Sequence, residues 1–289
     1  MNRTVSFMIG REQDGLMVKT VLSDFTGLSR REISRLKFTG GILCNGETCR
    51  VTQILHEGDR IDLVFSQHDE AHAVRIGGKP DILYEDEDLV IVNKPAGMPC
   101  HPSHEHLDDD MGTLLQNYYG GRFTIRAVGR LDKDVSGIMV YAKSQIAAAR
   151  LSRQRDEDLL HKQYLAVAAG IFEKKQGTME YRIQKKAGRR DRQISRSGQL
   201  CITDYEVIEE TAGRSLLRIS IRTGRTHQIR AGMAHAGHPL EGDRLYGGNM
   251  ELLHRPALHC AEIRLRQPFS GEEIHIEQEM PEEMRRLLQ

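Results

Sequence analysis

The chain has 289 residues, with 41 lysines and arginines against 41 aspartates and glutamates, so its formal net charge is zero. A hydrophobic content of 39% and a charged content of 28% are typical of a globular protein. Apolar runs such as residues 165–172 are too short for a membrane span, and the sequence MNRTVSFMIGREQDG lacks the apolar core of a signal peptide. Five cysteines without regular spacing predict reduced thiols and a cytoplasmic location.

Residues 1–75 are predicted to form a small separate module. Residues 18–25 have a helical pattern, and Ser29 with Glu32 forms a capping box at the start of a second helix, Arg30–Phe38. Short strands follow that second helix. The polar stretch that completes the module has the composition of a linker, so the larger domain is expected to begin near residue 76.

Two segments of the chain are strongly basic. On the second helix, Arg31 and Arg35 are four residues apart and lie opposite the apolar Ile33 and Leu36, so two guanidinium groups face solvent or a phosphate backbone. The other segment has a single acid among seven basic residues: Arg182, Lys185, Lys186, Arg189, Arg190, Arg192 and Arg196. Segregated charge on a neutral chain is compatible with a surface that binds nucleic acid, although solvated basic faces give the same pattern.

Residues 76–289 are predicted to form a domain in which strands outnumber helices. Strands are predicted at residues 82–86, 89–93, 124–128, 137–141, 163–169, 200–208, 215–221 and 273–277. Helices are predicted at residues 113–119, 144–155 and 226–236. Because strands and helices do not alternate regularly, the sequence predicts an α+β fold with a mixed sheet and not a doubly wound one.

Three stretches of the larger domain carry polar groups in unusual surroundings. GRLDKDVSG places Asp132 on a short loop between two predicted strands, where an ordinary turn would also accept an aspartate. In RTGRTHQIRAGMAHAG, Thr226 is expected to cap a helix that presents His227 and Arg230 on one face, a favourable place for an anion. Tyr164 lies in the apolar stretch HKQYLAVAAG, where core packing is the ordinary role of a tyrosine.

Taken together, these stretches resemble the motifs of the RluA family of RNA pseudouridine synthases. GRLDKDVSGIMVYAKS resembles the aspartate motif of that family, KQYLAVAAG its tyrosine motif, and RTGRTHQIRAGMAHAGHPLEGDRLYGG its long arginine motif. LVIVNKPAGMPCHPS and ALHCAEIRLRQPFSGEEIHI are similar to its opening and closing motifs. The resemblance covers residues 82–281 and implies a largely antiparallel sheet of the pseudouridine synthase type. The N-terminal module is similar to a small RNA-binding domain of a ribosomal protein.

The resemblance implies a role for each matching residue. Asp132 matches the catalytic nucleophile, Tyr164 the tyrosine that packs on the target base, and Arg230 the arginine that pairs with the aspartate. Arg130 matches an arginine implicated in displacing the base from RNA. Further RNA-binding residues are expected at Arg225, His227, Arg31, Arg35, Lys185, Lys186, Arg189 and Arg190. Gly129 and Val135 depart from the histidine and threonine that are common in the motif.

The implied reaction converts uridine into its carbon-linked isomer, an intramolecular transfer that needs no cofactor. It needs a carboxylate that stays ionised in a partly buried site, and a nearby arginine favours that form. The target base must leave its stack, at a cost of a few kcal/mol. The implied partner is RNA, with ribosomal RNA favoured over transfer RNA because of the N-terminal module. A monomer is expected.

Other functions remain open at this point. Transfer RNA is an alternative substrate, and a non-catalytic RNA-binding or ribosome-assembly factor would have the same fold. A zinc hydrolase could use the cysteine and histidines of CHPSHEH, namely Cys100, His101, His104 and His106. Their spacing on a proline-containing loop suits tetrahedral zinc poorly, so no metal site is predicted there.

Overall fold

The computed structural model describes residues 3–26, 30–65, 79–102, 109–185, 191–211 and 213–289. The chain divides into two compact units, Met1–Val74 and Arg75–Gln289, and each has its own hydrophobic core. In the described part of the chain, none of the helices has the length and apolarity needed to cross a membrane.

The first unit combines a small antiparallel sheet with two helices. Its strands have the order β1-β4-β2-β3, and its elements are β1 (Arg3–Met8), α1 (Val18–Thr26), α2 (Arg30–Phe38), β2 (Ile42–Cys44), β3 (Glu47–Thr48) and β4 (Arg60–Phe65). The apolar faces of both helices, including Val21 and Leu36, pack with Ile61 of β4. Both helices lie where the sequence predicts them. Ser29, half of the predicted capping box, lies outside the described residues.

The second unit is built around one large sheet. Eleven strands take part: β5 (Ile82–Glu85), β6 (Leu89–Lys94), β7 (Arg126–Val128), β8 (Ser136–Ala142), β9 (His161–Ala169), β10 (Gln176–Lys185), β11 (Arg192–Ile194), β12 (Gln199–Thr211), β13 (Arg214–Ile221), β14 (Leu258–Arg266) and β15 (Glu273–Glu277). The main path runs β11-β10-β12-β13-β9-β14-β8-β6-β5, while β7 pairs with β8 and β15 with β14.

The helices of the second unit are α3 (Met111–Tyr118), α4 (Gln145–Asp156), α5 (Gln228–His235) and α6 (Glu282–Arg285). Strand pairing is antiparallel except between β8 and β14, which run parallel. The predicted α+β fold with a mixed, largely antiparallel sheet is therefore confirmed. Three strands of this sheet, β10, β11 and β14, are absent from the sequence prediction.

The parallel contact between β8 and β14 lies directly after the loop that carries Asp132. Every residue of β8 is buried, and β8 pairs with β14 through Ser136 and Gly137, opposite His259 and Cys260. Gly137 has a φ of 112°, and a Cβ there would overlap the backbone of Cys260. A glycine is therefore required for the two strands to approach each other.

We expect Gly137→Ala to lower the free energy of unfolding by about 3 kcal/mol or more, because it adds both backbone strain and a clash with Cys260. Thermal unfolding of the purified protein measures this loss. Gly224→Ala is the matched control, since no atom lies within 4 Å of a Cβ at Gly224. If both variants unfold at the wild-type temperature, the close approach of β8 and β14 is wrong.

Candidate active site

Asp132 lies on the short loop that joins β7 to β8. The loop begins at Gly129, whose φ of 77° lies in the left-handed region, where glycine is favoured. The buried side chains of Leu131 and Val135 fix the loop to the core on either side of Asp132. The Val135 N–H donates to the Asp132 carbonyl at 3.1 Å. The carboxylate is thus held from both sides yet stays 18% exposed.

A buried lysine also fixes this loop, through hydrogen bonds to backbone carbonyl oxygens. Lys94, at the end of β6, has no exposed surface, and its Nζ donates to the carbonyl oxygens of Pro95, Met98 and Lys133 at 2.8, 2.8 and 3.1 Å. Burial lowers the pKa of Lys94 to about 8. Because Lys133 follows Asp132 directly, this ammonium group ties the loop to the turn after β6.

Arg230 links Asp132 to a second, fully buried carboxylate. Its Nη1 donates to Asp132 Oδ2 at 3.1 Å, while Nε and Nη2 donate to the two oxygens of Asp243 at 2.7 and 2.8 Å. Burial disfavours the charged guanidinium, but the two aspartates outweigh burial and raise the pKa of Arg230 above its ordinary value. The geometry leaves Arg230 a permanent cation whose plane is set by Asp243.

The helix that carries Arg230 begins later than the sequence predicts. Thr226 was expected to cap it, but α5 starts at Gln228, and His227 occupies the cap position in the left-handed region with φ 58°. No side chain caps the first turn of α5, and the Gln228 Oε1 instead accepts from the N–H of Arg225, two residues before the cap position, at 3.1 Å. A side chain inside the helix therefore closes the turn that precedes it, which short-range capping rules do not anticipate.

His227 and Tyr164 complete the surroundings of Asp132. The Nε2 atom of His227 lies 3.8 Å from Asp132 Oδ2. Tyr164 is buried on β9, next to Cys260 of β14, and burial raises its pKa well above the ordinary value, so that it stays a neutral phenol. A cavity of about 530 Å³ is lined by Asp132, Tyr164, His227 and Arg230 together. This volume lies in the range of about 300–1,000 Å³ found for small-molecule sites.

Comparison with known proteins adds a decisive observation to this geometry. The sequence profile of a family described as RNA pseudouridylate synthase matches residues 88–235, which include Asp132, Tyr164 and Arg230. The chain belongs to the RNA pseudouridylate synthase family. It is therefore an isomerase that converts uridine to pseudouridine in RNA, and the predicted family and enzyme class are confirmed.

Relatives resemble the synthase over nearly its whole length. The RNA pseudouridine synthase YhcT of Bacillus subtilis is 34% identical, and the match covers 99% of this chain and 96% of the YhcT chain. Ribosomal large subunit pseudouridine synthase D of Escherichia coli is 31% identical over 97% of this chain and 92% of its own. Among solved structures, human RNA pseudouridylate synthase domain containing 1 has a TM-score of 0.59 and 26% identity, covering 70% of this chain and 83% of its own.

The predicted RNA-binding residues lie in different parts of the synthase. Arg130, Arg225 and His227 line the cavity, and Lys185 is exposed at the end of β10. Arg31 and Arg35 lie on α2 of the first unit. Lys186, Arg189 and Arg190 lie outside the described residues.

Part of the alternative zinc cluster is engaged in the fold of the synthase. The Cys100 thiol is buried, where it donates to the Leu131 carbonyl and accepts from the Leu131 N–H at 3.1 and 3.2 Å. Burial raises the pKa of this thiol, which disfavours the thiolate that zinc requires. His104 and His106 lie outside the described residues. The thiol thus has a structural role beside the Asp132 loop.

The sequence analysis did not identify Asp243 and Lys94 as parts of the site, nor Tyr246, whose hydroxyl lies 3.0 Å from Nδ1 of His227. Asp243 and Tyr246 belong to the long arginine motif, and Lys94 to the opening motif, so their types were in view. The sequence feature that could have indicated them is Arg230 itself, because an arginine on a largely apolar helix needs an acidic partner once it is buried.

A buried histidine next to the site makes stability depend on pH. His259 is 1% exposed, and its Nδ1 lies 2.8 Å from Ser136 Oγ, which joins β14 to β8. Burial, with a further contribution from Arg255, lowers the pKa of His259 from 6.5 to about 4. The unfolded chain therefore binds a proton between these two values that the folded chain does not.

We expect the free energy of unfolding to fall by on the order of 3 kcal/mol as the pH drops from 6.5 to about 4, beyond any loss shared with a variant that lacks His259. His259→Asn is the control, because an amide can still pair with Ser136 but does not titrate. Urea unfolding at a series of pH values measures the difference. Equal pH dependence in both proteins would contradict the burial of a neutral imidazole.

Proposed function

We propose that this synthase isomerises uridine in large-subunit ribosomal RNA, with Asp132 as the nucleophile, Tyr164 as the side chain that packs on the uracil, and Arg230 as the cation that pairs with the Asp132 carboxylate. The observation that carries the choice of RNA is the likeness, over 97% of the chain, to a ribosomal large subunit pseudouridine synthase. The observation that supports the residue roles is the cavity in which these three side chains meet.

The reaction begins with a uridine that has left its stack and entered the cavity. Extrusion costs a few kcal/mol, and contact with the ring of Tyr164 offsets roughly 1–3 kcal/mol of it. The Asp132 carboxylate then bonds to carbon 1 of the sugar as the glycosidic bond breaks, and the electron pair of that bond leaves with nitrogen 1 of the uracil. The uracil turns, its carbon 5 attacks the same sugar carbon and releases the carboxylate, carbon 5 loses a proton, and nitrogen 1 gains one. Atoms and electrons balance without an outside reactant.

Basic side chains around the cavity hold the RNA in place in this proposal. Arg130 and Arg225 are exposed at the cavity wall, and Lys185 extends the basic surface along β10. The first unit contributes α2, whose sequence RREISRLKF has four basic residues among nine. Contacts of this kind bind phosphates and position the RNA without reading its sequence. The five cysteines are free thiols, in keeping with action in the cytoplasm, and we propose a monomer.

Tritium release from transcripts labelled at uridine carbon 5 tests the choice of RNA. Unmodified large-subunit ribosomal RNA and unmodified transfer RNA, both transcribed in vitro, are offered separately to the protein. We expect the wild-type protein to release tritium from the ribosomal transcript. From transfer RNA, we expect the wild type to release no more tritium than an Asp132→Asn variant does. Release from transfer RNA alone would show that the proposed substrate is wrong, while family membership would stand.

The salt dependence of RNA binding tests the role of α2. We expect Arg31→Ala with Arg35→Ala to weaken binding of the ribosomal transcript and to reduce the slope of log affinity against log salt by about 1.4–1.8, because each lost phosphate contact contributes roughly 0.7–0.9. Filter binding between about 50 and 200 mM salt measures the slope. Arg153→Ala is the control, since Arg153 is exposed but paired with Glu157. An unchanged slope in the double variant removes α2 from the RNA-binding surface.

The alternative of a non-catalytic RNA-binding factor, which the sequence left open, does not agree with membership of a family of synthases. Such a factor would bind RNA without tritium release from any transcript. The bonds from Arg230 to both Asp132 and Asp243 also favour the enzyme, because RNA binding alone gives no reason to place a carboxylate in a cavity.

A further inference from the structure

A chain of hydrogen bonds ends at His227. The backbone N–H of Arg192, on β11, donates to the Tyr246 hydroxyl at 2.7 Å. The same hydroxyl lies 3.0 Å from Nδ1 of His227, and the two rings meet edge to face. On the other side of the imidazole, Nε2 lies 3.8 Å from Asp132 Oδ2.

These contacts favour one of the two neutral tautomers of His227. The Tyr246 oxygen accepts from the Arg192 N–H, and the acceptor that the described residues offer to the hydroxyl hydrogen is Nδ1 of His227. Nδ1 is then unprotonated, and the single proton of a neutral imidazole sits on Nε2. The Asp132 carboxylate favours the same form, because an Nε2 lone pair would face a negative oxygen.

The imidazole is neutral near pH 7. Burial lowers its pKa, and the charges of Arg230 and Arg192 act in the same direction, against the opposing effect of Asp132 and Asp243. The neutral Nε2–H group therefore donates a hydrogen bond but does not give up its proton. At 3.8 Å it is too far from Asp132 for a hydrogen bond.

The backbone of His227 indicates that the site requires this side chain. His227 is one of three described non-glycine residues with positive φ, at 58°, a conformation that asparagine and glycine adopt more readily. A strained residue beside a catalytic group motivates a functional hypothesis. The imidazole lies in the wall of the cavity, 15% exposed, between Asp132 and Tyr246.

We propose that His227 is a catalytic residue whose neutral Nε2–H donates a hydrogen bond to a carbonyl oxygen of the departing uracil. When the glycosidic bond breaks, its electron pair moves onto the uracil, and the negative charge spreads over nitrogen 1 and the two carbonyl oxygens. A fixed donor next to Asp132 stabilises that charge without giving up a proton, so the uracil stays reactive at carbon 5. Tyr246 is a positioning residue that sets the tautomer. The proposal rests on the proposed role of Asp132 in cleaving this bond.

Two substitutions of the same residue separate the donor from the backbone. In His227→Gln the amide nitrogen reaches the place of Nε2, whereas in His227→Asn it reaches only the place of Nδ1. Asparagine suits positive φ better than glutamine does, so a structural role predicts that the asparagine variant is the better enzyme. The donor role predicts the reverse.

We expect His227→Asn to lower the single-turnover rate of tritium release by about 10²–10³-fold, and His227→Gln to retain at least tenfold more activity than His227→Asn. Thermal unfolding and filter binding check that both variants fold and bind the ribosomal transcript. If the asparagine variant is as active as the glutamine variant or more active, the proposal is wrong.

Thiouridine transcripts test contact with the uracil itself. Sulfur at position 2 or position 4 accepts a weaker hydrogen bond than oxygen. With the wild type, one of the two thiouridine transcripts should therefore react more slowly than the uridine transcript. We expect the ratio of the uridine rate to that thiouridine rate to be at least fivefold smaller in His227→Asn, because the donor is already gone. Equal ratios in both proteins, at both positions, would mean that His227 does not touch the carbonyl oxygens.

The tautomer can be measured without any substrate. Nitrogen-15 NMR of protein labelled at histidine should show a protonated Nε2 and an unprotonated Nδ1 for His227 at pH 7.5, with the signals assigned by their loss in His227→Gln. A proton on Nδ1 overturns the proposal. The tautomer, and the relative activities of His227→Gln and His227→Asn, can be interpreted even if Asp132→Asn remains active. Failure of the proposed nucleophile and failure of the proposed donor are therefore distinguishable.

Discussion

Asp132→Asn should abolish pseudouridine formation, with tritium release from the ribosomal transcript reduced by at least roughly 10⁴-fold. Asparagine keeps the shape of the side chain but removes the negative charge that assists bond cleavage. Arg230 keeps both of its bonds to Asp243 in this variant, so the arginine stays paired and the site keeps its form. The melting temperature is expected to change by less than about 4 °C.

A neighbouring aspartate provides the control for Asp132→Asn. Asp134 lies two residues further along the same loop and is exposed, so Asp134→Asn removes the same charge from nearly the same place. We expect Asp134→Asn to keep tritium release within about threefold of the wild type. RNA affinity should be similar in both variants, which assigns the difference to the chemical step. Substantial turnover by Asp132→Asn would remove Asp132 from the role of nucleophile.

Asp243→Asn should cause the largest loss of stability, about 3–5 kcal/mol, because it leaves a buried guanidinium without one of its two charge partners. The Asp243 carboxylate has no exposed surface, and the side chain of Arg230 is only 7% exposed. Tritium release should also fall, by about 10²-fold, with the loss in kcat and not in KM, because Arg230 is no longer held in the plane that meets Asp132. Urea unfolding measures the first effect and single-turnover kinetics the second.

A surface pair of the same geometry is the control for Asp243. Asp204 accepts two bonds from Arg222, both at 2.8 Å, but the two side chains are 30% and 60% exposed. Asp204→Asn should cost no more than about 1 kcal/mol, because water and salt screen exposed ion pairs. Equal losses in the two variants would mean that burial does not set the strength of the Asp243 pair.

Local patterns predicted most of the elements that position the site. The loop carrying Asp132 was predictable because the strand that follows it, β8, has a strongly apolar sequence. Helix α4 was predictable because Ser144 is a good cap, whose Oγ accepts from the Ala147 N–H. Strand β10 was missed because Arg182 and Lys185 near its end belong to a basic cluster, although Met179, Tyr181 and Ile183 alternate along its inner face.

The two carboxylate partners of Arg230 could not be predicted from local sequence patterns. The pairing with Asp132, 98 residues away, followed only from resemblance to a family, since no local pattern connects two such distant positions. Asp243 is 13 residues from Arg230, beyond the three or four residues over which helix periodicity relates side chains. The left-handed conformation of His227 was equally hidden, because the sequence places Thr226 and not His227 at the start of the helix.

The structure of the Asp132→Asn variant bound to an RNA that contains the target uridine tests the central claim most directly. The account predicts an unstacked uridine in the cavity, with its uracil against Tyr164 and with residue 132 within about 4 Å of the glycosidic bond. A target uridine that remains stacked in the RNA, or that binds away from residue 132, would contradict it.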